Sequence, residues 1–335
     1  MLPEKIKKIL KKQHYEIVGK NEHSAVQICR WTKKSLRDEG VCYKEKFYGI
    51  NSHLCCQMTP AVMWCPNKCI HCWRAVELTI GNELPDKNLD SPQEIIEGCI
   101  KAQKKLLQGF NIDKNSKKEQ LSKANMKKYK EAQEPMQFAI SLSGEPTTYM
   151  HLGELIKELR KRGKTSFLVT NGLYPEKIKE LANKKQLPTQ LYISVNTPNE
   201  KLYNKFHRSS LKDAWKKLNE TLSILPKLKG KTRTIFRMNL VKDLNMYLEQ
   251  AKEYAQLIKK SQPLFVEIKG FMSVGFARKR LGYERMPSDK EMEEFIEILL
   301  KELGKKWKLL DKHEFSRAYV LGEDKKELKI KTNQI

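Results

Sequence analysis

Trp64-Cys65-Pro66-Asn67-Lys68-Cys69-Ile70-His71-Cys72-Trp73-Arg74 carries three thiols in a C-x3-C-x2-C spacing, directly after the apolar run at residues 61–64. Three thiolates on one loop can ligate three irons of a four-iron, four-sulfur cubane and leave the fourth iron without a protein ligand. A structural zinc site is the plainer alternative, but it takes four Cys or His ligands, often as two pairs. His71, the nearest fourth donor, lies inside the loop, where the geometry is awkward. The position of the loop also bears on the fold, because barrels of alternating strands and helices carry their chemistry where strands end. Residues 61–64 read as the first of those strands.

Outward from this point, short apolar runs alternate with amphipathic helical patterns. Residues 61–64, 137–142, 166–170, 191–195, 234–241 and 264–270 are the six strand candidates. Strand, helix, strand in repetition implies right-handed crossovers and a parallel sheet. The expected class is therefore α/β, an incomplete (β/α)6 TIM-like barrel over residues 61–285. Residues 93–131 interrupt the alternation with two Lys-rich helical stretches and read as a basic helical insert. Residues 1–60 form an N-terminal extension, helical at 3–13 and 24–38 around a strand-like segment at 15–18, and irregular from 40 to 60. Residues 286–335 close the chain with a helix at 291–303 and a strand at 315–321.

The 335 residues are 39% hydrophobic with 16 Gly and 13 Pro, enough apolar surface for a core and too few breakers for disorder. Lys and Arg number 65 against 40 Asp and Glu, a formal charge of +25. Such a surplus suits nucleic acid or an anionic membrane, and equally a Lys-rich solvated surface. No apolar run reaches the ~20 residues of a membrane span, and the N-terminus lacks a signal-peptide core, so a cytoplasmic protein is expected. Eight cysteines in a chain of this length and composition do not suit a secreted disulfide scaffold; in a reducing compartment, clustered cysteines argue for metal.

With C-x3-C-x2-C at a first strand end, the chain resembles the radical S-adenosylmethionine superfamily, in which the open iron is chelated by the amino and carboxylate groups of S-adenosylmethionine. Ser143-Gly144-Glu145-Pro146 after the second strand is similar to the element that holds the methionine ammonium there. Thr170-Asn171-Gly172 ends the third strand and Ser194-Val195-Asn196 the fourth, where the superfamily places ribose contacts. Each triplet alone is ordinary turn chemistry; their joint placement after successive strands is not. The resemblance thus implies Gly144, Glu145, Thr170, Asn171, Ser194 and Asn196 as cofactor-binding residues.

Cys29, Cys42 and Cys55 recur at equal intervals of thirteen residues and invite a second cluster, although buried cysteines also serve as small hydrophobes. That reading suits Cys99, on an apolar face with Ile95 and Ile96, and applies with more caution to Cys56. With both cysteine sets, with residues 69–74 and with the segment 271–287, the chain resembles the tRNA 4-demethylwyosine synthases of wybutosine biosynthesis, from about Cys29 to Met286. The resemblance implies two 4Fe-4S clusters, on Cys65, Cys69 and Cys72 and on Cys29, Cys42 and Cys55. It implies conversion of N1-methylguanosine at position 37 of phenylalanine tRNA to tricyclic 4-demethylwyosine, with pyruvate as the two-carbon donor. Some members carry a flavodoxin-like domain that this chain lacks, so an external one-electron donor such as a flavodoxin or ferredoxin is expected, with the chain acting as a monomer.

In that chemistry a 5'-deoxyadenosyl radical takes hydrogen from the N1-methyl group and the carbon radical adds to the pyruvate carbonyl. Carbon–carbon cleavage then discards the carboxylate carbon, and ring closure completes the third ring. Lys44, two residues beyond Cys42, is the candidate for holding pyruvate as an imine, with Lys46 beside it as the competitor and chelation by the open iron of the second cluster as a further arrangement. Arg74, His207, Arg208, Arg237, Lys269, Arg278, Lys279 and Arg280 are candidates for phosphate contacts, and Trp73 and Phe276 for stacking on a splayed base. The competing functions are a radical activase or maturase acting on a protein, which explains the six-cysteine arrangement and the charge less well, and a zinc-stabilised RNA-binding protein.

Overall fold

A strand covered on both faces reads as an unbroken apolar run, and Gln137–Ile140 is buried at every position, as are residues 190–193. The computed structural model describes residues 2–113 and 123–334. The chain divides into two units, one drawn from Met1–Trp64, Glu83–Leu168 and Lys329–Ile335, the other from Cys65–Asn82 and Val169–Leu328.

In the first unit α1 (Glu4–Lys12) leads into β1 (Glu16–Val18) and β2 (Ser24–Gln27), which pair antiparallel. Next come α2 (Arg30–Leu36), α3 (Tyr43–Tyr48) and β3 (Cys55–Thr59), which is antiparallel to β2 and parallel to β4 (Gln137–Ile140). Between β3 and β4 lie α4 (Pro92–Leu107) and α5 (Met126–Glu131), and α6 (Leu152–Lys161) carries the chain from β4 to β5 (Thr165–Thr170), parallel to β4 through residues 165–168. Helix α4 starts where its sequence directs. Ser91 and Glu94 form a reciprocal capping box and Pro92 occupies the first turn, while Ile95, Ile96 and Cys99 are fully buried.

The second unit holds α7 (Pro175–Asn183), β6 (Gln190–Ser194), α8 (Glu200–His207), α9 (Ala214–Ile224), β7 (Arg233–Leu240), α10 (Gln250–Ser261) and β8 (Phe265–Gly270), with β6, β7 and β8 parallel. After α11 (Ala277–Leu281) and α12 (Asp289–Leu303), β9 (Lys308–His313) and β10 (Ala318–Gly322) form an antiparallel pair, and β10 adds to β8 in antiparallel sense. Among the described residues no helix is long and apolar enough to cross a membrane.

Five of the six strand candidates match β4 to β8; the first does not. Residues 61–64 form a buried turn, with Trp64 N donating to Ala61 O and Met63 at a left-handed φ of 70°. Pro60 ends the ladder, and the strand precedes it as β3. The stretch 40–60, expected to be irregular, holds α3 and β3, while residues 24–27, expected to be helical, pair as β2. The second Lys-rich stretch of the expected insert, residues 116–132, lies partly outside the described residues; within them it contains α5.

Candidate active site

The C-x3-C-x2-C loop belongs to the second unit and is held by the end of α8. Lys68 N donates to His207 O (2.9 Å), Ile70 N to Phe206 O (3.0 Å) and Ser210 N to Pro66 O (2.9 Å), and Asn67 bridges to Ser209. From α11 the Arg280 guanidinium donates to the carbonyls of Ile70 (3.0 Å), Cys72 and Arg74 (3.2 Å) and pairs with Glu77 (2.5 Å). Phe276 N donates to Trp73 O, and only glycine suits position 275, where φ is +55° and a Cβ would stand 2.3 Å from that same oxygen. His71 stacks on Phe206 with ring centroids 4.7 Å apart, so it packs as an aromatic residue.

Cys65, Cys69 and Cys72 are half-buried thiols. Burial pushes the Cys69 thiol well above its ordinary value, Cys72 and Cys65 add to the rise, and Arg280 opposes it. Burial also draws His71 well down and His207 to about 3, so both imidazoles are neutral. Among the described residues no three His, Cys, Asp or Glu groups converge as the ligands of one ion do. Separate sulfurs are what a cubane requires, because each iron takes its own thiolate, and iron displaces the proton that burial retains. The donor set fits a 4Fe-4S cluster.

In the first unit, Gly144 has φ +78° and a Cβ there would lie 1.8 Å from Ala61 O and 2.7 Å from Trp64 O. The bare backbone lets Glu145 N donate to Trp64 O at 2.7 Å, immediately before Cys65. Glu145 is 2% exposed, and its Oε1 accepts from Thr147 N (3.2 Å) and Thr147 Oγ1 (2.7 Å). In the second unit, Thr170 Oγ1 accepts from Gly172 N and Asn171 Oδ1 from Leu173 N, which closes the turn after β5. Ser194 ends β6, while Asn196 Oδ1 accepts from Asn239 N at 2.9 Å and ties that strand end to β7.

The three evenly spaced cysteines all lie in the first unit at element boundaries. Cys29 precedes α2, Cys42 caps α3 with its sulfur facing Lys44 N (3.5 Å), and Cys55 begins β3. Ser52 ties α2 to the start of α3: its Oγ accepts from Cys42 N (2.8 Å), its N donates to Glu45 Oε2 (2.7 Å) and its O accepts from Thr32 Oγ1 (3.0 Å). Burial pushes the Cys55 thiol well up, Cys29, Cys42 and Cys56 add to this, and the Lys44 ammonium opposes it. Cys29, Cys42 and Lys44 are therefore within electrostatic reach of Cys55. Lys44 is buried with Nζ 4.8 Å over the Phe167 ring, whereas Lys46 is exposed. Cys56 turns to the opposite face of β3, fully buried against Cys99.

A family model of the radical SAM superfamily matches residues 60–258, and one of wyosine base formation matches residues 260–323. The S-adenosyl-L-methionine-dependent tRNA 4-demethylwyosine synthase of Pyrococcus abyssi is 44% identical over 96% of this chain and 90% of its own length. The chain belongs to the tRNA 4-demethylwyosine synthase family. The synthase of Methanocaldococcus jannaschii is 36% identical over 99% of this chain and 100% of its own. A solved structure of TYW1 with a lysine-pyruvate adduct bound shares 34% identity, with a TM-score of 0.82 over 99% of both chains. The fold is thus the α/β partial barrel of radical SAM enzymes, and the protein is an enzyme that uses S-adenosylmethionine and a 4Fe-4S cluster.

Two of the expected phosphate contacts are engaged inside the protein instead. His207 is 3% exposed with Nδ1 3.1 Å from Cys69 Sγ, and Arg280 binds the carbonyls of the cysteine loop. The sequence around a basic residue gives no sign of whether its side chain turns inward. Arg237 pairs with buried Glu267 at 3.3 Å. Arg278 lies over the Tyr283 ring and Lys279 over the Phe276 ring.

Proposed function

We propose that this chain condenses N1-methylguanosine-37 of phenylalanine tRNA with pyruvate to form 4-demethylwyosine, with one 4Fe-4S cluster on Cys65, Cys69 and Cys72 and a second on Cys29, Cys42 and Cys55. The extension of residues 1–60 supplies the second set, and Lys44 holds pyruvate as an imine. Bound S-adenosylmethionine supplies the 5'-deoxyadenosyl radical on one-electron reduction. Glu145 accepts the methionine ammonium, its carboxylate already aligned by Thr147. Thr170, Asn171, Ser194 and Asn196, at the ends of β5 and β6, line the nucleoside portion. Electrons come from an external flavodoxin- or ferredoxin-like donor, and the chain acts as a monomer.

The burial of Lys44 among the second cysteine set carries this proposal. Imine formation needs an amine held in reach of the keto carbon and sheltered from water, and Lys44 meets that condition where exposed Lys46 does not. The lysine-pyruvate adduct in the TYW1 structure supports a lysine as the carrier. Attack of the amine on the carbonyl carbon and loss of water give the imine, which borohydride reduces to a stable secondary amine. With pyruvate and borohydride, the peptide containing Lys44 is expected to gain the reduced adduct. Lys44→Arg keeps the charge but is expected to lose both adduct and product. An adduct on Lys46, or an active Lys44→Arg enzyme, would overturn the role of Lys44.

A further inference from the structure

We propose that His207 is a positioning residue for the first cluster: its Nδ1–H donates to the Cys69 thiolate and raises the reduction potential of the iron that this sulfur binds. The inference rests on the assignment of Cys69 as a ligand. Nδ1 and Cys69 Sγ are 3.1 Å apart, and the imidazole cannot swing away, being stacked on Tyr203 at 4.4 Å and nearly closed off from solvent. The His207 carbonyl also accepts from Lys68 N, so the ring and the backbone of one residue hold two neighbouring residues of the loop, Cys69 and Lys68.

The other ring nitrogen explains why a histidine stands here. Nε2 is buried with no hydrogen-bond partner among the described residues, a desolvation cost that a phenylalanine packed against Tyr203 would not carry. The compensation must lie at Nδ1. A ligating thiolate carries no proton, so it can only accept, which places the hydrogen on Nδ1 and leaves Nε2 as a bare acceptor. Orphaned buried acceptors are tolerated better than orphaned donors, and the one tautomer satisfies both nitrogens best. A donor on a cluster sulfur stabilises the reduced state more than the oxidised one, since the reduced cluster carries one more negative charge.

The test uses anaerobically reconstituted full-length protein, and the first cluster is identified as the one whose reduced electron paramagnetic resonance signal responds to S-adenosylmethionine. In His207→Phe that signal is expected at full iron content, with its midpoint moved to more negative potential. A tenfold fall in the reduced-to-oxidised ratio at the wild-type midpoint corresponds to about 59 mV for one electron. An exchangeable proton coupled to the reduced cluster, lost in D2O, is expected in wild type and absent in His207→Phe. His207→Asn, whose amide nitrogen can occupy the place of Nδ1, is expected to restore both coupling and potential. An unchanged potential and coupling in His207→Phe would reduce His207 to packing. If that variant loads no iron, His207→Asn decides: a restored coupling supports the hydrogen bond, and a wild-type potential without coupling overturns it. Persistence of the S-adenosylmethionine-responsive signal in Cys69→Ala would instead overturn the ligand assignment beneath the inference.

Discussion

At the scale of single residues, the proposed chemistry depends on side chains set by a constrained backbone. Position 144, beside Glu145, is glycine because a Cβ there would collide with the carbonyls of Ala61 and Trp64, residues that lead directly into the cysteine loop. Glu145→Gln retains an oxygen to accept from Thr147 but removes the negative charge offered to an ammonium. Hydrogen bonds to charged groups contribute about 1.5–3 kcal/mol, so S-adenosylmethionine affinity, measured by equilibrium dialysis on the reconstituted protein, is expected to weaken by roughly 10- to 100-fold. Unchanged affinity would remove Glu145 from the cofactor site. The proposed roles of the cysteines, Gly144 and Glu145 could be argued from the sequence because spacing and turn chemistry are local. His207 and Arg280 could not, because their roles depend on the end of α8 and on α11 meeting a loop well over a hundred residues away in the chain.

At the scale of elements, β3 decides which of two adjacent cysteines faces the proposed second metal-binding set. Alternation along a strand sends neighbouring side chains to opposite faces, leaving Cys55 with Cys29, Cys42 and Lys44 and Cys56 with Cys99 in the core. Cys55→Ala is expected to fall from about eight irons per chain to about four, while Cys56→Ala keeps its iron and loses only packing. The opposite pattern in iron analysis would show that Cys56 is the ligand. Long parallel strands and capped helices such as α4 could be read from periodicity. The short elements could not: α3 has only six residues, built on Tyr43, Phe47 and Tyr48 and ended by Gly49 at φ 76°, too brief to display a helical period. The run at 61–64 is apolar because it is a buried turn, and burial alone does not distinguish a turn from a strand.

At the scale of the whole molecule, the +25 charge is the feature that the cluster chemistry does not use. An RNA substrate accounts for it, since each phosphate neutralised by Lys or Arg releases counterions and makes affinity fall with salt. Raising monovalent salt from about 50 to about 200 mM is expected to weaken tRNA binding at least roughly tenfold, and a flat salt dependence would show that the charge is mere surface solvation. The whole chain is put to the test most directly by anaerobic incubation with S-adenosylmethionine, pyruvate, a strong reductant and phenylalanine tRNA carrying N1-methylguanosine-37, followed by mass analysis of the nucleosides. The N1-methylguanosine is expected to disappear as the tricyclic 4-demethylwyosine appears, and only when pyruvate is present. Undiminished N1-methylguanosine, from protein that holds its iron and cleaves S-adenosylmethionine, would contradict the proposed function.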